Sequence, residues 1–186
     1  MRMELYWIEG PWPGRLAIMP RPRGGDWLEE EVASWGRMGI DMVVSTLTKE
    51  EVAELDLAGE EKICTAGKIA FIAFPVEDRG TPSSRKATLE LVRRLERELA
   101  LGKKIAIHCR QGIGRSALLA ACVLTAGGVD PVMALEGIAS ARGCAVPDTS
   151  EQREWVLRFV CDMLAPLSGG ESVTGNTVTP LRSGGG

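Results

Sequence analysis

The sequence predicts an α/β fold: a central, mostly parallel sheet with helices on both faces. Apolar runs of strand length alternate with stretches of helical periodicity, the pattern of parallel strands joined by helical crossovers. The runs at residues 40–45 and 69–74 are mostly apolar, as strands covered on both faces must be. Residues 104–107 form a third such strand, followed by a glycine-containing loop and then an apolar helix. In sheets of this kind ligands bind beyond the carboxyl ends of the strands, which places the loops after Phe74 and Ile107 at one functional edge.

In chain order, residues 5–8 and 15–19 read as two short strands of a hairpin, because the prolines and glycines of residues 10–14 enforce a turn. After a breaker segment at residues 20–25, Asp26 and Glu29 have capping-box spacing ahead of a helix over about residues 27–37. Thr48 and Glu51 supply a second capping box for a helix carrying Val52 and Leu55. A short helix is expected around residues 58–67, ended by Gly67, and a buried strand at 69–74. Residues 75–84 are loop by composition. A helix near 85–101 has Leu91, Leu95 and Leu99 on one stripe and ends at Gly102. The apolar helix at 117–124 stops at Gly127 and Gly128, and Asp130-Pro131 opens another that ends near Gly143. A last helix begins after Asp148 and carries Trp155, Phe159 and Met163.

A chain of 186 residues, 45% hydrophobic, is long enough for one sizeable core but short for two. The expectation is a single domain over residues 1–167 and a flexible tail at 168–186, where Gly, Ser, Thr and Asn dominate. A net charge of −3 gives no overall basic field for nucleic acid or an anionic membrane. No apolar stretch approaches the ~18–20 residues of a membrane span, and Glu4 stands where a signal peptide would be apolar, so a cytoplasmic protein is expected. The cysteines at 64, 109, 122, 144 and 161 are odd in number and widely spaced, which speaks against a disulfide framework. With a single histidine, no metal site and no cofactor are expected. Outside position 109 the thiols are read as packed or incidental, with a redox partner for Cys109 as the minority reading.

Residues 108–116, His-Cys-Arg-Gln-Gly-Ile-Gly-Arg-Ser, lie at the end of a strand and the start of a helix. Unpaired backbone N–H groups and the positive end of a helix dipole make such a loop an anion site, and Gly112 and Gly114 let the backbone turn its amides inward. The same field stabilises a thiolate at Cys109, and Arg115 offers a guanidinium fork to phosphate oxygens. Backbone amides of Arg110, Gln111, Gly112, Ile113 and Gly114, with the Arg115 side chain, are therefore the expected phosphate-binding set. The Arg110 side chain either enriches the pocket mouth or is solvated, while Arg21 and Arg23 are read as surface charge.

His108-Cys109, five residues, then Arg115-Ser116 closely resemble the signature of the cysteine-dependent protein tyrosine phosphatase superfamily, and the flanking sequence is most similar to its compact dual-specificity members. The resemblance implies metal-independent hydrolysis of phosphate monoesters, with phosphotyrosine the leading substrate class and phosphoserine, phosphothreonine or a non-protein phosphate ester the alternatives. It implies Cys109 as nucleophile and Asp78, in the segment Glu77-Asp78-Arg79-Gly80-Thr81-Pro82, as general acid, with Glu77 as competitor. Ser116 is implied to donate to the departing sulfur, a role compatible with helix capping. Because successive strand residues face opposite ways, His108 is read as supporting the loop and not as a base. Gln152 matches a water-positioning glutamine, whereas Asp148, where another glutamine would be expected, is read as an N-cap. A rhodanese-type sulfurtransferase would not need Asp78, and a silent phosphate-binding module would have lost one of Cys109, Arg115 and Asp78. The expected partner is a phosphorylated protein or a small phosphate ester, with neither nucleic acid nor membrane; oligomeric state is left unassigned.

Overall fold

The computed structural model describes residues 4–164, with side chains through Phe159. The expected boundary at residue 167, the tail beyond it and the side chains of Cys161 and Met163 lie outside the described residues. The strands are β1 (Tyr6–Ile8), β2 (Arg15–Pro20), β3 (Met42–Ser45), β4 (Ala70–Ala73) and β5 (Lys104–Cys109). The helices are α1 (Leu28–Arg37), α2 (Lys49–Glu54), α3 (Glu60–Ala66), α4 (Arg85–Ala100), α5 (Arg115–Ala126), α6 (Pro131–Arg142) and α7 (Ser150–Leu164).

The strands form one sheet in the order β1-β2-β5-β3-β4, in which only the β1–β2 hairpin is antiparallel. The period-2 alternation of side chains divides the core in two. Leu16, Ile18, Met42, Val44, Ile105 and Ile107 face the cluster built with α4, α5, α6 and α7. Met19, Val43 and Ala106 face the smaller cluster built with Leu28, Val32 and Trp35 of α1 and Cys64 of α3. The α5 side chains from Arg115 to Leu124 are all buried, so this helix is the centre of the larger layer and not a surface crossover.

The Thr48–Glu51 capping box forms, with Glu51 N–H donating to Thr48 Oγ1 at 3.3 Å and Glu51 Oε2 accepting from Thr48 N–H at 3.0 Å. Asp130 caps α6, and Gly143 ends it in the left-handed conformation at φ +78°. The expected Asp26 box does not form. A 3₁₀ turn at Gly25–Trp27 runs directly into α1, placing Asp26 inside a helical turn instead of ahead of it. That turn is pinned from outside the helix, Gly25 N–H donating to Asp56 O at 3.0 Å. Residues 69–74 also differ from expectation: β4 is an edge strand with Ala70 and Ala73 exposed and Phe71 and Ile72 half-buried. An apolar run of that length is compatible with either place, and alanine loses little by exposure. Among the described residues no helix is long and apolar enough to cross a membrane.

Leu95 is fully buried in the larger cluster. Leu95→Ala is expected to lower unfolding stability by about 2–5 kcal/mol, seen as an earlier urea midpoint with an unchanged slope.

Candidate active site

β5 is the central strand and carries Cys109 as its last residue, at the carboxyl edge of the sheet. The chain then turns through residues 110–114 into the N-terminus of α5. Gly112 makes that turn possible: its φ is +67°, and a Cβ there would lie 2.6 Å from the Met19 carbonyl carbon. The inward turn of the loop is visible at Gly112, whose N–H donates to Cys109 Sγ at 3.1 Å. Ser116 Oγ lies 3.4 Å from the same sulfur. Cys109 is thus a buried sulfur met by a backbone amide and a hydroxyl beside the N-terminus of α5.

Arg115 is 3% exposed and is held from several directions. Its NH1 and NH2 donate to the two Glu51 carboxylate oxygens at 2.6 and 2.8 Å, a bidentate pair. NH1 also donates to Val76 O at 2.9 Å, and NH2 to Asp78 Oδ1 at 3.1 Å. Burial by itself would lower the Arg115 pKa, but the hydrogen bonds to Glu51 and the charges of Glu51, Cys109 and Asp78 raise it. Burial likewise works to raise the Glu51 pKa, and the bonds from Arg115 and the Thr48 amide overcome this and hold it below its ordinary value. Both groups therefore stay charged at neutral pH.

The structure brings Asp78 to Arg115 on a loop fixed at both ends. Val76 N–H donates to Thr46 O at 3.1 Å, and the Gln152 side-chain amide donates to Gly80 O at 2.9 Å. Gln152 is buried, and its Oε1, with no hydrogen-bond partner, sits beside Gly114. Asp148 does not cap α7. The Thr149 hydroxyl accepts from Gln152 N–H at 3.2 Å, three residues on, and the Asp148 carboxylate packs against Gly114 instead. Asp78, Cys109, Gly114, Arg115 and Asp148 line one cavity of about 280 Å³ with Arg79, Arg110, Gln111 and Ile113. Glu77 is exposed and does not line it.

The remaining expected residues are placed as follows. The Arg110 side chain turns to the rim and pairs with Glu54 at 2.5 Å, so its part in the loop floor is its backbone. His108 is buried on the sheet face opposite Cys109, its carbonyl accepting from both Thr46 N–H and Thr46 Oγ1 at 2.9 Å. Its Nε2 lies 2.9 Å from Glu60 Oε1, a contact without hydrogen-bond alignment. Cys64 is buried within the opposite core cluster, and burial together with the Glu60 charge pushes its thiol up to about 12. Burial also pushes the Cys122 thiol up, in the middle of α5. Neither has the features of a thiol that exchanges with Cys109. Among the described residues no group of His, Cys, Asp and Glu is arranged to hold a metal ion.

Two residues here carry more than sequence reasoning gave them. Glu51 was legible only as a helix cap, yet it is also the carboxylate that holds Arg115. Arg142, near the end of α6, donates from Nε to Gly112 O at 3.0 Å and from NH2 to Gln111 O at 3.4 Å while lying over the Tyr6 ring at 4.2 Å. It braces the outer side of the loop. No spacing in the sequence marks either contact, because the partners are 64 and 30 positions apart.

Comparison with known proteins gives a consistent family assignment. A model described as a Swiss Army Knife protein, DSP-PTPase phosphatase domain, matches residues 4–157. The cyclin-dependent kinase inhibitor 3 of Sus scrofa is 33% identical over 102 residues, covering 54% of this chain and 48% of the relative. The chain spans about half the length of the first such curated relatives it matches. Among solved structures, kinase associated phosphatase with its catalytic-site cysteine replaced by serine superposes with a TM-score of 0.80 at 20% identity, covering 90% of this chain and 99% of that one. Tk-PTP in its active form gives 0.70 at 28% identity, covering 87% and 99%.

Breaking the Arg115–Glu51 pair leaves a buried charge unmatched, so Glu51→Gln is expected to lower stability by about 3–5 kcal/mol. The Glu51 pKa is depressed in the folded state, so its contribution is present above the ordinary value of 4.5 and is lost as pH falls through the folded value. Chemical denaturation at stepped pH should show the gap between wild type and variant narrowing as the solution is acidified.

Proposed function

The chain belongs to the dual-specificity and protein tyrosine phosphatase family, and on that premise we propose that it hydrolyses phosphate monoesters through a cysteinyl-phosphate intermediate, with phosphotyrosine in proteins as the leading substrate. The observation that carries this reading is the convergence of Cys109, whose sulfur accepts from the Gly112 amide, the Arg115 guanidinium and the Asp78 carboxylate on one cavity.

In the first step the Cys109 thiolate attacks phosphorus in line while the bond from phosphorus to the ester oxygen breaks. Loop amides from Arg110 to Gly114 and the Arg115 guanidinium stabilise the charge on the non-bridging oxygens. Glu51 occupies the NH1–NH2 edge of Arg115, so the donors turned to phosphate are Nε–H and the outer NH2 hydrogen, the one Asp78 accepts. A phosphate oxygen takes that donor, and Asp78 in its protonated form gives its proton to the leaving oxygen. In the second step water attacks phosphorus, gives its proton to Asp78, and the sulfur–phosphorus bond breaks. Ser116 Oγ, already beside Sγ, donates to the departing thiolate, and the free Gln152 Oε1 beside Gly114 is suited to hold the water.

Cys109 is 2% exposed on the cavity wall, and this recessed sulfur favours the long reach of an aryl phosphate over the short stem of phosphoserine. Gln111 and Ile113, where inositol-lipid phosphatases of the superfamily often place lysines, disfavour a highly charged phosphoinositide. Because the thiolate must stay reduced, the reading also requires a reducing compartment such as the cytoplasm.

Cys109→Ser is expected to abolish turnover of p-nitrophenyl phosphate, with a chelator leaving the wild type unaffected. Asp78→Asn should slow phenyl phosphate hydrolysis by about 10²–10⁴-fold and make the rate depend steeply on leaving-group basicity. Matched peptides should show the higher kcat/KM for phosphotyrosine. Residual turnover in Cys109→Ser, or equal use of phosphoserine, would overturn the mechanism or the substrate assignment respectively.

A further inference from the structure

The segment that carries Asp78 makes a tight turn with an unusual residue in it. Gly80 N–H donates to Glu77 O at 2.9 Å, closing a β-turn over Glu77, Asp78, Arg79 and Gly80. Arg79 is the third residue of that turn and has φ +57°. Turns with a positive φ at this position take glycine or asparagine, because the Cβ of other L-residues crowds the following carbonyl there. Here the glycine comes one position later, and arginine holds the strained place. The turn is tied on both sides, by Val76 N–H to Thr46 O at 3.1 Å and by the Gln152 amide to Gly80 O at 2.9 Å. Backbone strain persists where the surroundings over-determine it, and it clusters at binding and catalytic sites.

Three arginines line the catalytic cavity, and two of them are already matched. Arg115 is paired with Glu51 and Asp78, and Arg110 with Glu54 at 2.5 Å. Arg79 is exposed and has neither a hydrogen bond nor an ion pair with any described residue. Its guanidinium is charged at every working pH and keeps its donors for something else. Asp78, the residue before it, serves the leaving oxygen in the reaction derived above. Arg79 therefore stands on the leaving-group side, where the rest of the substrate lies, while residues 110–115 surround the phosphate. Gln111 and Ile113 bring no charge to this cavity and Asp148 is acidic, so a second anionic group has Arg79 to meet.

We propose that Arg79 is a specificity-determining residue, receiving the carboxylate of an acidic residue that flanks phosphotyrosine in a protein substrate. The proposal deepens the phosphatase reading and rests on it. Exposed ion pairs are weak, so the expected preference for an acidic flank is about three- to fivefold.

The probes are two phosphotyrosine peptides that differ only in carrying glutamate or glutamine on both sides of the phosphotyrosine. At low salt the wild type should show that preference in kcat/KM, through KM and not kcat. The ratio should approach one in ~0.5 M NaCl. Arg79→Gly, which suits the φ of +57°, should bring the ratio to about one whatever its absolute rate, and Arg79→Lys should restore most of it. Arg21→Gln, which removes a cation outside this cavity, should leave the ratio unchanged. A ratio near one in the wild type, a ratio that survives Arg79→Gly, or one lost equally in Arg21→Gln would show a solvated cation only and overturn the assignment. The same ratio is read as Kd for fluorescein-labelled peptides on the Cys109→Ser chain. A wild type that turns over neither peptide nor p-nitrophenyl phosphate overturns the phosphatase reading, and the Kd ratio then decides for or against Arg79 by itself.

Discussion

The buried pair of Arg115 and Glu51 is the interaction on which the site depends. A guanidinium at 3% exposure must be matched, and Glu51 matches it with both oxygens. The energetic meaning is not surplus stability, since two desolvated charges regain roughly what they lose. What the pair provides is a fixed direction: with the NH1–NH2 edge committed to Glu51 and NH1 also held by Val76 O, the opposite edge has one way to face. The same contact links α2, the β4–α4 loop and α5, so the acid, the cation and the nucleophile share one frame.

Local signals made most of the fold legible. The apolar runs of β3 and β5, the Thr48–Glu51 and Asp130 caps and the Gly143 stop are short-range chemistry, and the structure keeps them. Asp26 shows the limit of such reasoning. Its spacing to Glu29 is that of a capping box, yet a tertiary bond from Gly25 to Asp56 winds the chain into a turn one residue too early. Asp148 fails for a similar reason, because the better-placed Thr149 hydroxyl takes the cap. The run at 69–74 is a strand but an edge one, since neither length nor composition says which neighbour a strand lacks.

Within the site, residues 108–116 were legible because strand, turn, amides and helix dipole are contiguous in sequence. Asp78 became visible only through a resemblance, and Arg142 not at all, because a long side chain reaching two loop carbonyls across 30 and 31 positions has no local signature. Glu51 is the instructive case. One carboxylate closes a capping box and also holds Arg115, and the first role hid the second. Only the folded structure shows that Glu51 is buried in the first turn of its short helix, which a carboxylate serving as a cap alone has no need to be.

The alternation of β5 finally explains why one strand end can serve chemistry and support together. Ile105, Ile107 and Cys109 face the layer of α4 to α7, while Ala106 and His108 face that of α1 and α3. The sulfur therefore sits at the mouth of α5 with amide and hydroxyl around it, and the imidazole beside it in sequence is directed into a different core. Its carbonyl is tied twice to Thr46, which fixes the strand end one residue before the nucleophile. The strand is paired on both sides up to this point, with β2 and with β3, and His108 shares a peptide plane with Cys109. Chemistry and support are thus separated by the sheet while remaining adjacent in sequence.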